Sequence, residues 1–196
     1  MVGNRLLRGD RVRLTSFEDQ DLEVFAAWQE DTLYLRLLDA DPAFPRSRIQ
    51  LTEWLQSQRK SSNSYLFGIR MLDNPRLIGH VELSSILWNQ GTAWLGMAIG
   101  DAAFRGKGLG TEALRLVLDF AFFELNLHRI QLTVFSYNEH AIHVYERVGF
   151  RREGAFREFL RRDGRRYDML LYGLLRSEWE AGTREEEHPL DPSHSG

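Results

Sequence analysis

The chain has 196 residues, of which 43% are hydrophobic and 27% are charged, and its formal net charge at pH 7 is −3. This length and composition are typical of one globular domain and exclude a chain that is disordered throughout. The absence of cysteine excludes disulfides, thiolate metal sites and a cysteine nucleophile. The sequence shows neither an apolar signal segment nor a membrane span, so we expect a soluble, cytoplasmic protein.

The first third of the chain predicts one short strand and two helices. Residues 12–14 alternate as a strand, and Ser16 is placed to cap a helix whose apolar face includes Phe25. The second helix is predicted over residues 47–59. It follows a loop at residues 39–45 that contains two prolines.

The hydrophobic period then changes from helical to alternating. Strands are predicted at residues 65–69, 77–81 and 94–99. Short turns at residues 73–75 and 89–91 separate them. Consecutive strands joined by short turns favour an antiparallel meander.

The second half of the chain mixes helices and strands. The predicted elements are a helix at 111–125, a strand at 129–134, a helix at 139–148, and a hairpin formed by residues 151–160 and 167–175. This order predicts an α+β fold, in which a mixed, largely antiparallel central sheet is flanked by helices in a single domain. The domain is expected to span residues 1–180. Residues 181–196 are polar and show no periodicity, which predicts a disordered tail.

Charged residues are segregated along the chain. Residues 18–41, the acidic segment, contain eight acidic residues against a single base, Arg36. Residues 147–166 contain eight arginines against three acids. Both segments are expected to be solvated faces, although they could place a cationic substrate at one end and phosphates at the other.

The segment Arg105-Gly106-Lys107-Gly108-Leu109-Gly110-Thr111, here called the glycine loop, carries the clearest chemical signal. Its glycines let the backbone approach a ligand closely and turn N–H groups inward. The helix that follows adds unpaired N–H groups and the positive end of its dipole. Together these features predict a phosphate site.

Two common phosphate-binding motifs do not account for the glycine loop. A Walker A loop requires a glycine where Asp101 stands. The dinucleotide pattern G-x-G-x-x-A matches Gly108, Gly110 and Ala113, but it requires an acidic residue about 20 positions further on. Residues 133–136 read Thr-Val-Phe-Ser, with no acid.

The motifs of the chain resemble the GNAT acetyltransferase superfamily. Arg105-x-x-Gly108-x-Gly110 is similar to the pyrophosphate loop Q/R-x-x-G-x-G/A of that family. Asn138-x-x-Ala141-x-x-x-Tyr145-x-x-x-Gly149-Phe150 resembles its second cofactor element. The ending, with Asp163-Gly164-Arg165, resembles the branch that holds ribosomal-protein N-terminal acetyltransferases and spermidine acetyltransferase. The resemblance covers roughly residues 12–179.

The resemblance implies acetyl-CoA as co-substrate and no metal. A splayed strand end would bind the pantetheine arm like an added strand through Met97, Ala98 and Ile99. Backbone N–H groups would hold the pyrophosphate, and Arg105 and Lys107 would add positive charge. The residues implied in this pyrophosphate contact are Arg105, Gly106, Lys107, Gly108, Leu109, Gly110 and Thr111. Asn138, Ala141 and Tyr145 complete the implied cofactor site, with Asn138 either contacting pantetheine or capping its helix.

Acyl transfer to an amine needs a base and a proton or hydrogen bond for the leaving thiolate. Tyr145 is suited to the thiolate because a tyrosine hydroxyl is a donor with a pKa near 10. Many relatives place a glutamate on the strand before the loop, where Trp94 stands here. Glu82 is therefore the candidate base; a water relay, with Glu82 an ordinary solvent-facing residue, is the alternative. His140 and His143, three residues apart on a helix, are expected at the surface or at the cofactor's edge rather than in a metal site.

Two hypotheses about function follow. The first is an acetyl-CoA-dependent N-acetyltransferase that acts in a ternary complex on a primary amine, such as a polyamine, a protein or peptide N-terminus or another cationic amine. The alternative is a non-catalytic module that binds acyl-CoA or contacts RNA through the arginine-rich hairpin. Under the first hypothesis neither a membrane nor a nucleic acid is an expected partner, and a homodimer is compatible with the sequence.

Overall fold

A computed structural model gives the fold of residues 6–187, the part of the chain that the structure describes. The strands are β1 (Val12–Ser16), β2 (Tyr65–Met71), β3 (Leu77–Leu87), β4 (Thr92–Ile99), β5 (Arg129–Phe135), β6 (Arg151–Arg162) and β7 (Arg165–Leu175). The helices are α1 (Asp21–Trp28), α2 (Thr32–Leu38), α3 (Arg48–Lys60), α4 (Leu109–Asp119), α5 (Glu139–Val148) and α6 (Arg176–Glu187). A 3₁₀ turn (Ala102–Phe104) precedes the glycine loop, and a π-helical turn (Phe120–Glu124) extends α4.

The seven strands form one sheet in the order β1-β2-β3-β4-β5-β7-β6. Every pairing is antiparallel except that of β4 with β5, which is parallel. The predicted meander corresponds to β2, β3 and β4. The predicted α+β fold, with a largely antiparallel sheet in a single domain, is confirmed.

Strands β4 and β5 separate partway along the sheet. They pair only from Thr92–Arg129 to Trp94–Gln131. Beyond that point β4 stays paired with β3, and β5 stays paired with β7. The two central strands therefore diverge and open a wedge in the middle of the sheet, as the family resemblance implies.

Helices cover both faces of the sheet. Because successive strand residues point to opposite faces, neighbouring residues of β3 contact the helices on opposite sides of the sheet. Val81 belongs to the main core with Leu114 of α4, whereas the ring of His80 packs 5.4 Å from that of Phe25 of α1. The layer of α1 and α3 is closed by aromatic stacking, with the rings of Phe25 and Trp54 5.0 Å apart.

A buried ion pair ties α1 to the sheet. Arg70 of β2 donates to both carboxylate oxygens of Asp21, at 2.8 and 2.7 Å. The same guanidinium donates to the hydroxyl of Thr15 and the carbonyl of Pro75, at 2.9 and 2.8 Å. Since all these donors are used within the fold, the pair is fully hydrogen-bonded as well as neutralised.

Two local predictions differ from the structure. Ser16 lies in β1 and does not cap α1; the residue before α1 is Gln20, which makes no side-chain cap. Asp21 accepts from the backbone N–H of Glu18 at 2.8 Å and so holds the turn that delays the helix. Helix α2, which the sequence analysis missed, is capped by Asp31 through the backbone N–H of Tyr34 at 3.1 Å.

The C-terminal helix also extends further than expected. The disordered tail was predicted from residue 181, whereas α6 continues to Glu187. Trp179 anchors the helix, because its Nε1 donates to Asp119 at 2.9 Å. The rest of the predicted tail, residues 188–196, lies outside the described residues. In residues 6–187, no helix is both long and apolar enough to cross a membrane.

Candidate active site

The wedge between β4 and β5 opens into a cavity of about 500 Å³. Met97 of β4 and Val134 of β5 line its two sides. The glycine loop, represented by Gly108, and α5, through Tyr145, also line the cavity. Residues of α2 and of the β6–β7 hairpin complete the lining. The sheet, the loop and two helices thus converge on one space.

The glycine loop has the backbone geometry that the sequence predicts. Gly106 and Gly108 adopt positive φ angles of 72° and 76°, which residues with a side chain rarely adopt. Gly108 directly precedes α4, and its carbonyl accepts from the backbone N–H of Glu112 at 3.2 Å. The N–H groups of the first helical turn, residues 109–111, therefore have no intrahelical partner. This arrangement suits a phosphate.

The loop is held in place from the N-terminal side of the sheet. Glu112, in the first turn of α4, accepts from the backbone N–H groups of Arg11 and Val12, at 2.7 and 3.1 Å. The guanidinium of Arg11 donates to Glu112 at 2.9 Å and to the carbonyl of Lys107 at 2.9 Å. The loop's shape is therefore set before any ligand binds.

The two cations of the loop have different surroundings. The guanidinium of Arg105 donates to the carbonyls of Ile99 and Gly100, at 2.9 and 2.7 Å, and pairs with Asp31 at 2.9 Å. Its backbone N–H bonds to Ala102. Arg105 therefore braces β4 against α2, and the expectation that it supplies an N–H and charge to a pyrophosphate does not fit these contacts. The ammonium of Lys107 is exposed, 5.8 Å from the ring centre of Phe104.

The backbone of β4 presents alternate residues to the cavity. Gly100 donates to Ile78 of β3 at 3.0 Å. In an antiparallel ladder, hydrogen-bonded pairs alternate with non-bonded ones. The backbone N–H and carbonyl of Ala98 therefore bond to β3, while those of Met97 and Ile99 face the wedge. The carbonyl of Ile99 is occupied by Arg105, which leaves its N–H and both groups of Met97 for a ligand.

Helix α5 contributes the residues of the second predicted motif. The side chain of Asn138 caps the helix by accepting from the N–H of Ala141 at 3.2 Å, and both residues line the cavity. Tyr145 also lines it, with 8% of its surface exposed. Burial raises the pKa of Tyr145 to about 12. Within the part of the chain that the structure describes, its hydroxyl makes no hydrogen bond, so it is available to a ligand.

Glu82 lies beside the cavity rather than in its lining. Its carboxylate accepts a long hydrogen bond from Gln58 of α3, at 3.5 Å. It also occupies the space beside Gly96, where an added Cβ would stand 3.4 Å from Oε1, and Gly96 does line the cavity. Burial raises the pKa of this carboxyl. On the same face of β3, burial lowers the pKa of His80 to about 4.

Several residues of the cavity were not predicted from the sequence. Tyr34 of α2 is 3% exposed, and its hydroxyl has no hydrogen-bond partner among the described residues. Asp31 before Thr32 is a helix-start signal that could have revealed α2 and this tyrosine. Phe159 and Met169 reach the cavity from the hairpin, and no local signal predicts this because it depends on long-range pairing. His140 lines the cavity and His143 is exposed.

The acidic segment is largely neutralised. Asp21 pairs with Arg70, Asp19 with Arg59 at 2.6 Å, and Asp31 with Arg105. These arginines come from distant parts of the sequence. Among the described residues that line the cavity, Asp39 is the one carboxylate. The interpretation of this segment as a negatively charged face for a cationic substrate is therefore not supported by the charge arrangement. Among residues 6–187, no three His, Asp or Glu side chains are grouped as a metal site would require.

Comparison with known proteins places these features in a family. Residues 11–151 match the family model described as the acetyltransferase (GNAT) domain. The SPbeta prophage-derived uncharacterized N-acetyltransferase YokL of Bacillus subtilis is 28% identical over 88% of this chain and 94% of its own length. The ribosomal protein uS5 alanine N-acetyltransferase of Escherichia coli is 29% identical, over 63% of each chain.

A solved structure shares the fold as a whole. The spermidine N-acetyltransferase of Vibrio cholerae, crystallised in complex with CoA and spermine, superposes with a TM-score of 0.79 and 27% sequence identity. The match covers 86% of this chain and 98% of that protein. The wedge, the glycine loop and these matches agree, and the chain belongs to the GNAT acetyltransferase family and is an N-acetyltransferase.

Proposed function

We propose that this enzyme transfers an acetyl group from acetyl-CoA directly to a primary amine while both substrates are bound. The observation that carries the proposal is the wedge between β4 and β5, which opens beside the unpaired N–H groups of the glycine loop. The similar spermidine N-acetyltransferase was solved with CoA and spermine, which supports the same two classes of ligand here.

The donor is held mainly by backbone groups. N–H groups of residues 106–111 hold the pyrophosphate, and Lys107 adds a mobile positive charge. Met97 and the N–H of Ile99 bind the pantetheine arm in the manner of an added strand. Asn138 and Ala141 border the arm on the α5 side. Acetyl-CoA supplies a thioester, whose acyl carbon is open to attack by an amine.

Transfer forms a bond between the amine nitrogen and the acetyl carbon and breaks the carbon–sulfur bond. The amine loses a proton, and the departing thiolate must be stabilised or protonated. An amine with an ordinary pKa near 10.4 requires about 4–5 kcal/mol to deprotonate at pH 7. Glu82 serves as the base across Gly96, directly or through water, and its raised pKa makes it a stronger base than an ordinary glutamate.

The acetyl oxygen and the leaving sulfur both need hydrogen-bond donors. The N–H of Met97 or Ile99 stabilises the charge that develops on the acetyl oxygen. The hydroxyl of Tyr145 donates to the sulfur. With no cysteine in the chain, a thioester-linked enzyme intermediate is excluded. Direct transfer in a ternary complex is the simplest scheme that the residues support.

The test is incubation of the purified protein with acetyl-CoA and a panel of amines, followed by mass spectrometry. The expected result is an acetylated amine formed in a one-to-one ratio with free CoA. The panel includes spermidine, arylalkylamines and short peptides with free N-termini. If CoA binds but no amine is acetylated, the proposal is wrong and a non-catalytic acyl-CoA-binding role is favoured.

A further inference from the structure

One part of the cavity lining comes from the region of α2 and from the β6–β7 hairpin, and is here called the acceptor end. It is built by Leu37 and Leu38 of α2, by Ala40 just after that helix, and by Phe159 and Met169 of the hairpin. All five side chains are apolar. The acceptor end therefore offers a largely apolar wall to a ligand.

The rim of the acceptor end also exposes apolar surface. Leu38 is 37% exposed and Phe159 is 48% exposed. Phe156, 49% exposed, stands beside Phe159 with the two ring centres 6.1 Å apart. Exposed apolar surface beside a cavity is a common feature of sites that bind apolar ligands. Among residues 6–187, Leu38 and Phe159 are the two exposed large apolar side chains that also line the cavity, so a substrate in it would touch them.

The charges at this end do not suit a polycation. Asp39, the carboxylate that borders the cavity, has Arg46 4.0 Å from it. Outside the cavity lining, the guanidinium of Arg162 donates to the carbonyls of residues 39, 40 and 41 at 3.0, 3.2 and 2.8 Å. Because Asp39 is the one carboxylate among the described residues that line the cavity, a second or third ammonium group would find no further carboxylate in the lining. Each ammonium group that leaves water without a carboxylate partner carries a desolvation cost.

The same contacts make the acceptor end rigid. Arg162 joins the segment after α2 to the β6–β7 hairpin, and Arg36 of α2 forms an ion pair with Asp163 at the hairpin's turn. The hydroxyl of Tyr137 donates to the carbonyl of Arg36. The apolar wall is therefore preorganised, which favours a ligand of matching chemistry without a large ordering cost.

We infer that the acceptor carries a single amino group on an apolar body, and that polyamines are poor substrates. The inference rests on the proposed function and adds the chemical class of the acceptor. An arylalkylamine and a peptide with an apolar first residue share this chemistry. Phe159 and Leu38 select for it by contact with the apolar body.

The experiment compares kcat/KM for 2-phenylethylamine, the peptides Phe-Gly-Gly and Gly-Gly-Gly, and spermidine, with acetyl-CoA saturating. We expect at least one phenyl-bearing acceptor to exceed spermidine by about tenfold or more. A preference for 2-phenylethylamine identifies a small amine, and a preference for Phe-Gly-Gly over Gly-Gly-Gly identifies a peptide. A preference for spermidine overturns the inference and leaves the proposed function intact. Absence of any product overturns the proposed function, and the inference with it.

Variants of Phe159 distinguish a loss of substrate contact from a general loss of stability or folding. Phe159→Ala should lower kcat/KM for the preferred acceptor about tenfold while leaving the KM for acetyl-CoA unchanged, and Phe159→Leu should restore most of the loss. Phe123→Ala is the matched control, because Phe123 is similarly exposed at 44% but does not line the cavity. Equal effects of the alanine changes at the two positions would refute selection by Phe159.

Discussion

Replacement of Tyr145 by phenylalanine tests how the leaving thiolate is stabilised. Tyr145 lines the cavity, and burial raises the pKa of its hydroxyl to about 12. A thiol has an ordinary pKa of about 8.5, so complete transfer of the tyrosine proton to the thiolate is unfavourable by about 5 kcal/mol. Tyr145 should therefore act as a hydrogen-bond donor to the sulfur and keep its proton.

This distinction sets the expected magnitude. A hydrogen bond to a charged group contributes about 1.5–3 kcal/mol, which corresponds to a loss of roughly 10- to 150-fold in kcat for Tyr145→Phe. The hydroxyl has no hydrogen-bond partner among residues 6–187, so the change should leave the melting temperature almost unaltered. The KM for acetyl-CoA should change little, because the loop and β4 supply most of the donor contacts.

The assay is continuous detection of free CoA across pH 6–10, with thermal melting of both proteins. Wild type and Tyr145→Phe should give parallel pH profiles, because a tyrosine with a pKa of about 12 does not titrate in this range. An unchanged kcat would refute any role of the hydroxyl in turnover. A fall in wild-type activity near pH 9 that vanishes in the variant would refute the hydrogen-bond model, since it would mean that Tyr145 loses its proton there.

Three further changes test the loop, the base and the core. Gly108→Ala places a side chain at φ +76°, a strain of about 1–2 kcal/mol, and should raise the KM for acetyl-CoA roughly 5- to 30-fold; Gly164→Ala, at the same φ of +76° in the turn between β6 and β7 and outside the cavity lining, is the control. Similar KM values for the two variants would contradict the geometric argument. Glu82→Gln should abolish the acidic limb of kcat/KM and raise the melting temperature at pH 8. Burial raises the pKa of the Glu82 carboxyl, so the fold favours its protonated form and loses stability as the pH rises through that pKa. Glutamine stays neutral at pH 8 and avoids this loss. A variant with lower thermal stability at pH 8 would show that the charged form is favoured in the fold. Asp21→Ala leaves Arg70 buried without its carboxylate and should lower the free energy of unfolding by about 3–5 kcal/mol in urea melts; a loss below about 1 kcal/mol would mean that the pair behaves like a surface contact.

The cofactor end of the site could be predicted from sequence because its determinants are local. A positive φ at Gly108 and an Asn138 cap depend on residues a few positions away. The acceptor end depends on pairing across the chain: Phe159 reaches the cavity only because β7 pairs with β5 and carries β6 beside it. The contacts of Arg105 could not be predicted for the same reason. Its position in the glycine loop suggests a phosphate contact, but its guanidinium is bound to Asp31 and to two backbone carbonyls.

Strand β4 pairs with β3 along one edge, but its other edge pairs with β5 only from Thr92 to Trp94. On the proposed function, the pantetheine arm completes that edge, so the ligand contributes to the fold as well as to the reaction. A ligand that binds only the folded state adds about 2.7 kcal/mol of stability at a hundred times its Kd. The amides of β4 facing the wedge would then exchange with solvent more slowly as acetyl-CoA rises. The lifetime of the folded enzyme is thereby linked to the supply of its own donor.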